Sequence, residues 1–541
     1  MKISKIYSAL LLSSLSVPFF AHGQDLSTEV VVDRTVETYL PDAKPLKNVF
    51  PELLPAPKAD RALKAADYSL WADFNPLVQT GKAPDYTGIA APDKHRGYAW
   101  LGYFPAYNLG VAAGYRFVDK ERTRMGASVN FDGMSYNNRF SDSRVGDNAF
   151  KINLFADHWL KNGLKFGAYA YYSFDGLKNP GTFEGYDSQT INNFYIRLSA
   201  SRSTENLSYY ANLDFRYFGL GKDITPVVAA PHEQLGRLKA GALAAVSDGI
   251  KVGADVEGDI LGSSDNMALG AVTPKVVLSG EQYEFNVGLR LDLALSVPGN
   301  KFHIAPQISG VWHFMPQASL YGEFKGGNRL QTMYNLYCYS PFASGATFAY
   351  PTYSPVDGIV GVRLGAFSGF KFDVFGGWSK ANRTMMPVAG IDGTYASMSF
   401  VPTDISGWHG GLGVAYSYST LVDAALRFNI GPEGIASDDG RYFDRAKYSF
   451  DFSVRYKPSG KLAFDLRYNL RGGRRYGIGG LDSVEYNMGA ISDLGLGATW
   501  KAGERVGMFL RLDNILNKRS LLLPGLSCQG FHGLLGVDFR F

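Results

Sequence analysis

Residues with chemical capacity are few and scattered. Asp255, Glu257 and Asp259 stand at alternate positions. In an extended chain all three would project from one face, because successive side chains of a strand point to opposite sides. Such an acidic edge suits contact with a cation or a cationic solute. It equally suits a polar inner wall balanced by neighbours such as Lys251, Arg290 and Arg216, the commoner case in channel-like walls. Arg471, Arg474 and Arg475 gather beside a long connection, where they would meet an anionic lipopolysaccharide, a partner, or simply water. The 8 histidines include His232-Glu233, but the second His of a zinc helix is missing, and none of the others has metal-ligand spacing. Gly411-Leu412-Gly413 is a weak glycine motif within an alternating run. A hydrolytic triad needs Ser, His and a carboxyl or amide brought together at one place, and no local motif signals one. The chain therefore reads as a non-enzyme with no cofactor and no metal. Cys338 and Cys528 are the only cysteines, too few for a disulfide-built scaffold. Both fall in predicted loops, where a bridge would need those loops to be neighbours.

The elements that must position these residues show a period of two. Over 461–471, Leu462, Phe464, Leu466, Tyr468 and Leu470 share one face, with Lys461, Asp465, Arg467, Asn469 and Arg471 on the other. Just before them, Tyr448, Phe450, Phe452, Val454 and Tyr456 alternate with Ser449, Asp451, Ser453, Arg455 and Lys457. Pro458-Ser459-Gly460 between the two runs is a tight turn, so the pair reads as a hairpin. The same alternation recurs over 207–217, 250–257 and 283–295. In a soluble sandwich the apolar face meets a second sheet; in a membrane barrel it meets lipid, and the polar face lines the lumen.

Connection lengths separate the two. About 22 strand-like runs extend from 97 to 541, a number found among outer-membrane barrels. Many are joined by very short turns, at 161–162, 248, 316, 458–460 and 502–504. Others are separated by long stretches, at 327–355, 382–405, 431–443, 472–486 and 516–529. Short turns at one end and long loops at the other mark a transmembrane antiparallel β-barrel. Phe117, Trp159, Phe314, Tyr418, Tyr456 and Trp500 stand beside the short turns, as an interfacial aromatic girdle would.

Composition agrees. Aromatic residues make up 14% of the chain, with 62 glycines and 46% hydrophobic residues overall. No run of about 18 apolar residues offers a membrane-spanning helix. The net charge of +4 is well mixed and shows no basic run for nucleic acid. Residues 1–23 carry Lys2 and Lys5, a short apolar run and Ala21-His22-Gly23, a secretory signal pattern. Residues 24–94 are interrupted by Pro41, Pro45, Pro51, Pro55, Pro57, Pro76, Pro84 and Pro92, and read as an extended periplasmic or lumenal arm. Only 60–72 has the pattern of a short helix. Residues 95–541 are left for the barrel.

Two segments carry a family resemblance. The last strand, FHGLLGVDFRF (531–541), places Phe531, Leu535, Val537, Phe539 and Phe541 on one face. Ahead of it come LGLGATW (494–500) and AGERVGMFLRLDNILNKRS (502–520), with Asp513-Asn514-Ile515-Leu516-Asn517-Lys518 at the strand end. This arrangement resembles the closing strands of TonB-dependent receptors, and 97–131 is similar to their opening hairpins. The resemblance implies an outer-membrane location, contact with outer-membrane lipid, a last strand read by the barrel-assembly machinery, and solute transport with TonB or another periplasmic protein as partner. Glu29, Val30, Val31 and Val32 match a TonB-docking strand in position and composition, the kind that pairs by strand addition. The family's folded plug domain has no counterpart in 24–94, which is too short and too proline-rich. Two alternatives therefore stand beside transport: a non-transporting barrel with an occluded lumen that serves as a structural or assembly accessory, and a passive porin.

Overall fold

The computed structural model describes residues 95–541, apart from 141–142, 179–187, 222–231, 264–265, 296–300, 340–350, 368, 390–397, 432–445, 478–484 and 524. The signal pattern, the proline-rich arm, the 60–72 helix and Glu29–Val32 lie outside the described residues.

The chain begins with β1 (Gly97–Phe104), β2 (Asn108–Lys120), β3 (Thr123–Asn137), β4 (Arg144–Trp159), β5 (Lys165–Lys178), β6 (Ser188–Ser203), β7 (Leu207–Leu220) and β8 (His232–Ser247). It continues through β9 (Ile250–Gly262), β10 (Met267–Ser279), β11 (Tyr283–Leu295), β12 (Lys301–Met315), β13 (Ala318–Arg329), the helix α1 (Met333–Tyr339), β14 (Thr352–Phe367), β15 (Phe370–Ala389) and β16 (Met398–Tyr418). Then follow β17 (Val422–Ile430), β18 (Tyr448–Ser459), β19 (Leu462–Gly472), β20 (Arg475–Gly477), β21 (Glu485–Asn487), β22 (Ile491–Lys501), β23 (Val506–Asp513), β24 (Leu521–Leu523), β25 (Leu526–Ser527) and β26 (His532–Arg540).

Twenty-two of these strands form one antiparallel sheet, each paired with its neighbours along the chain. β20–β21 and β24–β25 are separate ribbons within two of the long connections. The sheet closes because β26 pairs with β1, from Tyr98↔Arg540 to Tyr103↔Leu535. Two further bonds extend the seam: the Gly97 amide donates to the Phe541 carbonyl at 2.7 Å, and the Phe541 amide to the Gly97 carbonyl at 3.0 Å. Closure leaves no open edge, which is what allows strands to stand in lipid.

The period-two pattern becomes two physical faces. On β7, Leu213 and Phe215 are exposed, whereas Asp214 and Phe218 are buried. Phe218 packs against α1, and α1 belongs to a cluster that also reaches β15 and β16, about half the ring away. Only the interior joins those walls, so Asp214, Arg216 and Phe218 face the lumen and the alternate residues face lipid. Val252, Val256 and Ile260 on β9, and Tyr283, Phe285, Val287, Leu289, Leu293 and Leu295 on β11, are exposed on that outer face. Phe117, Phe314, Tyr418, Tyr456 and Trp500 are exposed beside the short turns, as the girdle requires. Trp159 is partly covered, with Arg124 and Lys165 over its ring at 5.6 and 4.9 Å.

The connections segregate as expected from the sequence, with one correction. The stretch 382–405 is not a loop: β15 and β16 run on beyond the bulge between Ala381 and Thr384, pairing from Thr384↔Thr403 to Ala389↔Met398. Pro387 and Pro402 are accommodated in this two-stranded extension, where proline is tolerated at a ladder's edge. Within 327–355, β13 runs on to Arg329, α1 follows, and β14 starts at Thr352.

The Phe541 ring lies over Gly97 and stacks on Tyr115 at 6.1 Å. A Cβ at residue 97 would overlap that ring. Gly97→Val is expected to destabilise the closed barrel by about 1–3 kcal/mol, as overpacking does. The measure is the temperature at which the compact band on semi-native gels converts to the unfolded one. Gly258→Ala, with open space around it, should leave that temperature unchanged.

Candidate functional site

The inner wall of β6–β11 is a ladder of charge pairs set by strand register. Arg197 and Asp214 face each other across β6–β7, Asp214 and Arg237 across β7–β8, and Arg237 and Asp259 across β8–β9. Arg197 donates to both carboxylate oxygens of Asp214 at 2.7 and 3.0 Å, and Arg237 to both of Asp259 at 2.7 and 2.8 Å. Lys239 donates to Glu257 at 2.9 Å, and Arg290 reaches the other Glu257 oxygen at 2.8 Å. Asp255 accepts from Lys275 at 2.5 Å and from the Tyr210 hydroxyl at 3.0 Å. Arg290 also holds Asp292 at 2.9 Å, and the Asn328 amide donates to that carboxylate at 3.0 Å. The structure thus places Asp255, Glu257 and Asp259 together on the lumen face and gives each its own cation. Of the balancing residues named from sequence, Arg290 takes part, whereas Lys251 and Arg216 make none of these pairs.

Two inner-wall cations meet aromatic rings instead. Lys151 and Arg216 reach no carboxylate at ion-pair distance among the described residues; both lie on tyrosine rings. The Lys151 ammonium is 4.4 Å from the Tyr171 ring centre, and the Arg216 guanidinium is 5.2 Å from that of Tyr195 and 3.7 Å from that of Tyr334. Tyr171 and Tyr195 are 5.2 Å apart, and Tyr169 lies 6.0 and 6.2 Å from them. The Tyr169 hydroxyl donates to Asn153 at 2.9 Å, and the Asn193 amide donates to the Tyr171 hydroxyl at 3.0 Å. This wall offers two cations held on ring faces rather than in ion pairs, together with phenols.

Loop segments cover it. α1 is too short to be stable alone, so the wall must hold it. Glu233, 1% exposed, accepts the amides of Met333 and Tyr334 at 2.6 and 2.9 Å. The Thr332 hydroxyl caps the Asn335 amide at 3.1 Å. Phe218 meets Tyr334 and Tyr337 at 5.8 and 5.3 Å. Val145, Leu177, Ile191, Phe218, Leu220, Leu336, Met385, Phe400, Leu523 and Leu526 form one apolar cluster across the long-loop end. The β24–β25 ribbon is tied in from two sides. Asn138 donates to the Gly525 carbonyl at 2.8 Å and accepts the Ser527 amide at 3.1 Å. Arg474 donates to the Leu521 and Leu522 carbonyls at 2.5 and 2.7 Å.

Arg474 therefore does not meet lipid; it is 4% exposed and holds a loop. Arg471 pairs with Asp451 at 3.0 Å. Cys338 lies on α1 and Cys528 follows β25, and no disulfide joins them. Burial pushes the Cys338 thiol above its ordinary range. On β26 and beside it, Phe531, Leu535, Phe539 and Phe541 are exposed on the lipid face, with Val537 partly covered between them.

Sequence reasoning misses Glu233 and the tyrosine wall. Glu233 figures there only as half of an incomplete metal motif. Tyr169 and Tyr171 go unnamed there, although their two-residue spacing on a polar face is an available signal.

No family model matches this sequence, and no curated protein matches it. Solved structures do. A mutant of the ferric enterobactin receptor PfeA of Pseudomonas aeruginosa superposes with a TM-score of 0.61 at 12% identity, covering 82% of this chain and 80% of its own. The FrpB iron transporter of Neisseria meningitidis (F5-1 variant) gives 0.61 at 10% identity, covering 82% of each. The copper transporter OprC gives 0.59 at 12% identity, covering 82% of this chain and 80% of its own. The fold is that of the TonB-dependent receptor barrels. At these identities the likeness is one of fold, and a closed barrel with an apolar outer face is the architecture of outer-membrane proteins.

Removing the Glu233 carboxylate strands two helix amides, a loss of about 1–3 kcal/mol. In a Cys528→Ser background, Glu233→Ala is expected to speed maleimide labelling of Cys338 by about tenfold or more. Glu233→Gln, which keeps one acceptor, should fall between.

Proposed function

We propose that this receptor-like barrel is a gated transporter that passes a solute across the outer membrane. The observation that carries the reading is the closed long-loop end: an apolar cluster joins opposite walls, and a buried carboxylate holds the helix at its centre. A passive porin has no use for such a seal, and lumens of this size are usually obstructed rather than open. The fold likeness to receptors and transporters supports the same direction.

The steps follow from the geometry. The solute reaches the cap from the long-loop side, taken as the cell exterior by the usual barrel orientation. Displacing α1 uncovers Lys151, Arg216 and the tyrosines. Their positive charge, held on rings rather than in ion pairs, favours a solute with negative charge or an electron-rich ring. Below them the paired ladder is close to neutral. The role expected of 24–94 from its sequence, to obstruct the lumen or to offer Glu29–Val32 to a periplasmic partner with TonB the candidate, fits such a gate.

Single-channel recording tests the reading. The intact protein should be closed or nearly so, and deletion of 25–94 combined with Glu233→Ala should give large steps. Large open channels in the unaltered protein would sink the gated reading in favour of a porin. Closed channels in every variant, with no growth defect under solute limitation and no dependence on TonB, would favour the accessory reading.

In the opened variant, Lys151→Gln with Arg216→Gln should move the reversal potential in a salt gradient towards cation preference. An unchanged potential would remove these two residues from the permeation path.

A further inference from the structure

The lipid face of β3–β5 changes character at its long-loop end. On β5 the outward residues run Phe166, Tyr172 and Phe174, all exposed, and then Lys178. On β4 they run Leu154 and Ile152, and then Arg144 beyond them. Arg144 is paired with Asn137 of β3, and Lys178 with Gly146 of β4. The neighbouring loops add three more cations. Arg139 donates to the Arg519 carbonyl at 3.4 Å, and Lys518 precedes Arg519. The Arg519 guanidinium packs over Gly530, next to the exposed Phe531.

All five cations are exposed, and none makes an ion pair among the described residues. The carboxylates of the same strands, Asp132, Asp147, Asp157 and Asp175, share the parity of the inner face. Apolar anchors accompany the cations: Phe140, Leu516 and Phe531 are 48%, 45% and 47% exposed, and the Arg139 guanidinium stands 5.9 Å over the Phe140 ring. Cations at the upper edge of an apolar lipid face, with rings beneath them, are placed to meet headgroup anions while acyl chains lie along the strands.

We propose that Arg139, Arg144, Lys178, Lys518 and Arg519 form a binding site for a phosphorylated lipid headgroup of the outer leaflet. From sequence, Arg471, Arg474 and Arg475 stand open to such a role, to a partner or to water; the structure turns Arg474 into a loop tie and pairs Arg471 with Asp451. Five like charges brought close on one surface repel one another, and an anionic lipid relieves that repulsion. The contact also tethers the 514–529 connection, part of the cap, to the membrane edge.

The test uses the full-length protein in detergent, with a bis-phosphorylated glucosamine lipid as probe and its dephosphorylated form as control. Binding is read by native mass spectrometry. The unaltered protein should retain the phosphorylated lipid and bind the control at least tenfold more weakly. Changing the five cations to Gln should weaken binding of the phosphorylated lipid by about tenfold or more, since basic side chains near an anionic surface each add to the attraction. Changing Lys120, Lys161 and Lys461 at the short-turn end to Gln should not. Equal binding of the two lipids, or full retention by the five-fold variant, would overturn the proposal. So would displacement of the lipid by inorganic phosphate at the lipid's own concentration. If the five-fold variant does not give the compact gel band, Lys178→Gln with Arg519→Gln replaces it, with an expected weakening of about fivefold or more.

Discussion

Everything in this structure depends on one constraint: in hydrocarbon, every backbone amide and carbonyl must find a partner within the protein. An open sheet fails that condition at its two edges. The pairing of β26 with β1 meets it, and the two Gly97–Phe541 backbone bonds carry it to the end of the seam. Once the ring is closed, each strand has one face in lipid and one in the lumen, and every later property follows from that division.

The lumen face is where the division becomes demanding. A charged residue there sits against a wall of low polarity, and an unpaired buried charge is costly. Register supplies the remedy, because residues opposite each other on adjacent strands are close enough to pair. The succession Arg197, Asp214, Arg237, Asp259 across β6–β9 is such a remedy, repeated from strand to strand. It explains why three acids at alternate positions do not make a cation site. Their charge is already committed to the wall.

How much of this is legible in the sequence depends on the range of the interactions. The faces of β7, β9, β11, β18 and β19 are readable because side-chain direction in a strand is a local property of period two. The number of barrel strands follows, as does the division into short turns and long connections. Glu233 is not readable. Its partners are the amides of Met333 and Tyr334, about a hundred residues away in the chain and neighbours only after the ring closes. The same holds for Arg474 and the β24–β25 ribbon, whose contact turns a surface-looking arginine into an interior one. The β15–β16 extension escapes for the same reason: its ladder tolerates Pro387 and Pro402 and is a pairing that no local period announces.

The exceptions to the ladder then carry more information than the ladder does. Where strand register would let almost any cation find a carboxylate, Lys151 and Arg216 rest on tyrosines instead. A cation on a ring face keeps most of its charge available, since the ring quadrupole neutralises far less than a carboxylate. Arg216 serves two elements at once, stacking on Tyr195 of the wall and on Tyr334 of the cap. Lifting α1 removes one of those rings and exposes the guanidinium's second face. The cap and the wall beneath it are thus coupled through one side chain, and in the gating proposed above the motion that lifts α1 would also free the positive charge that meets a solute.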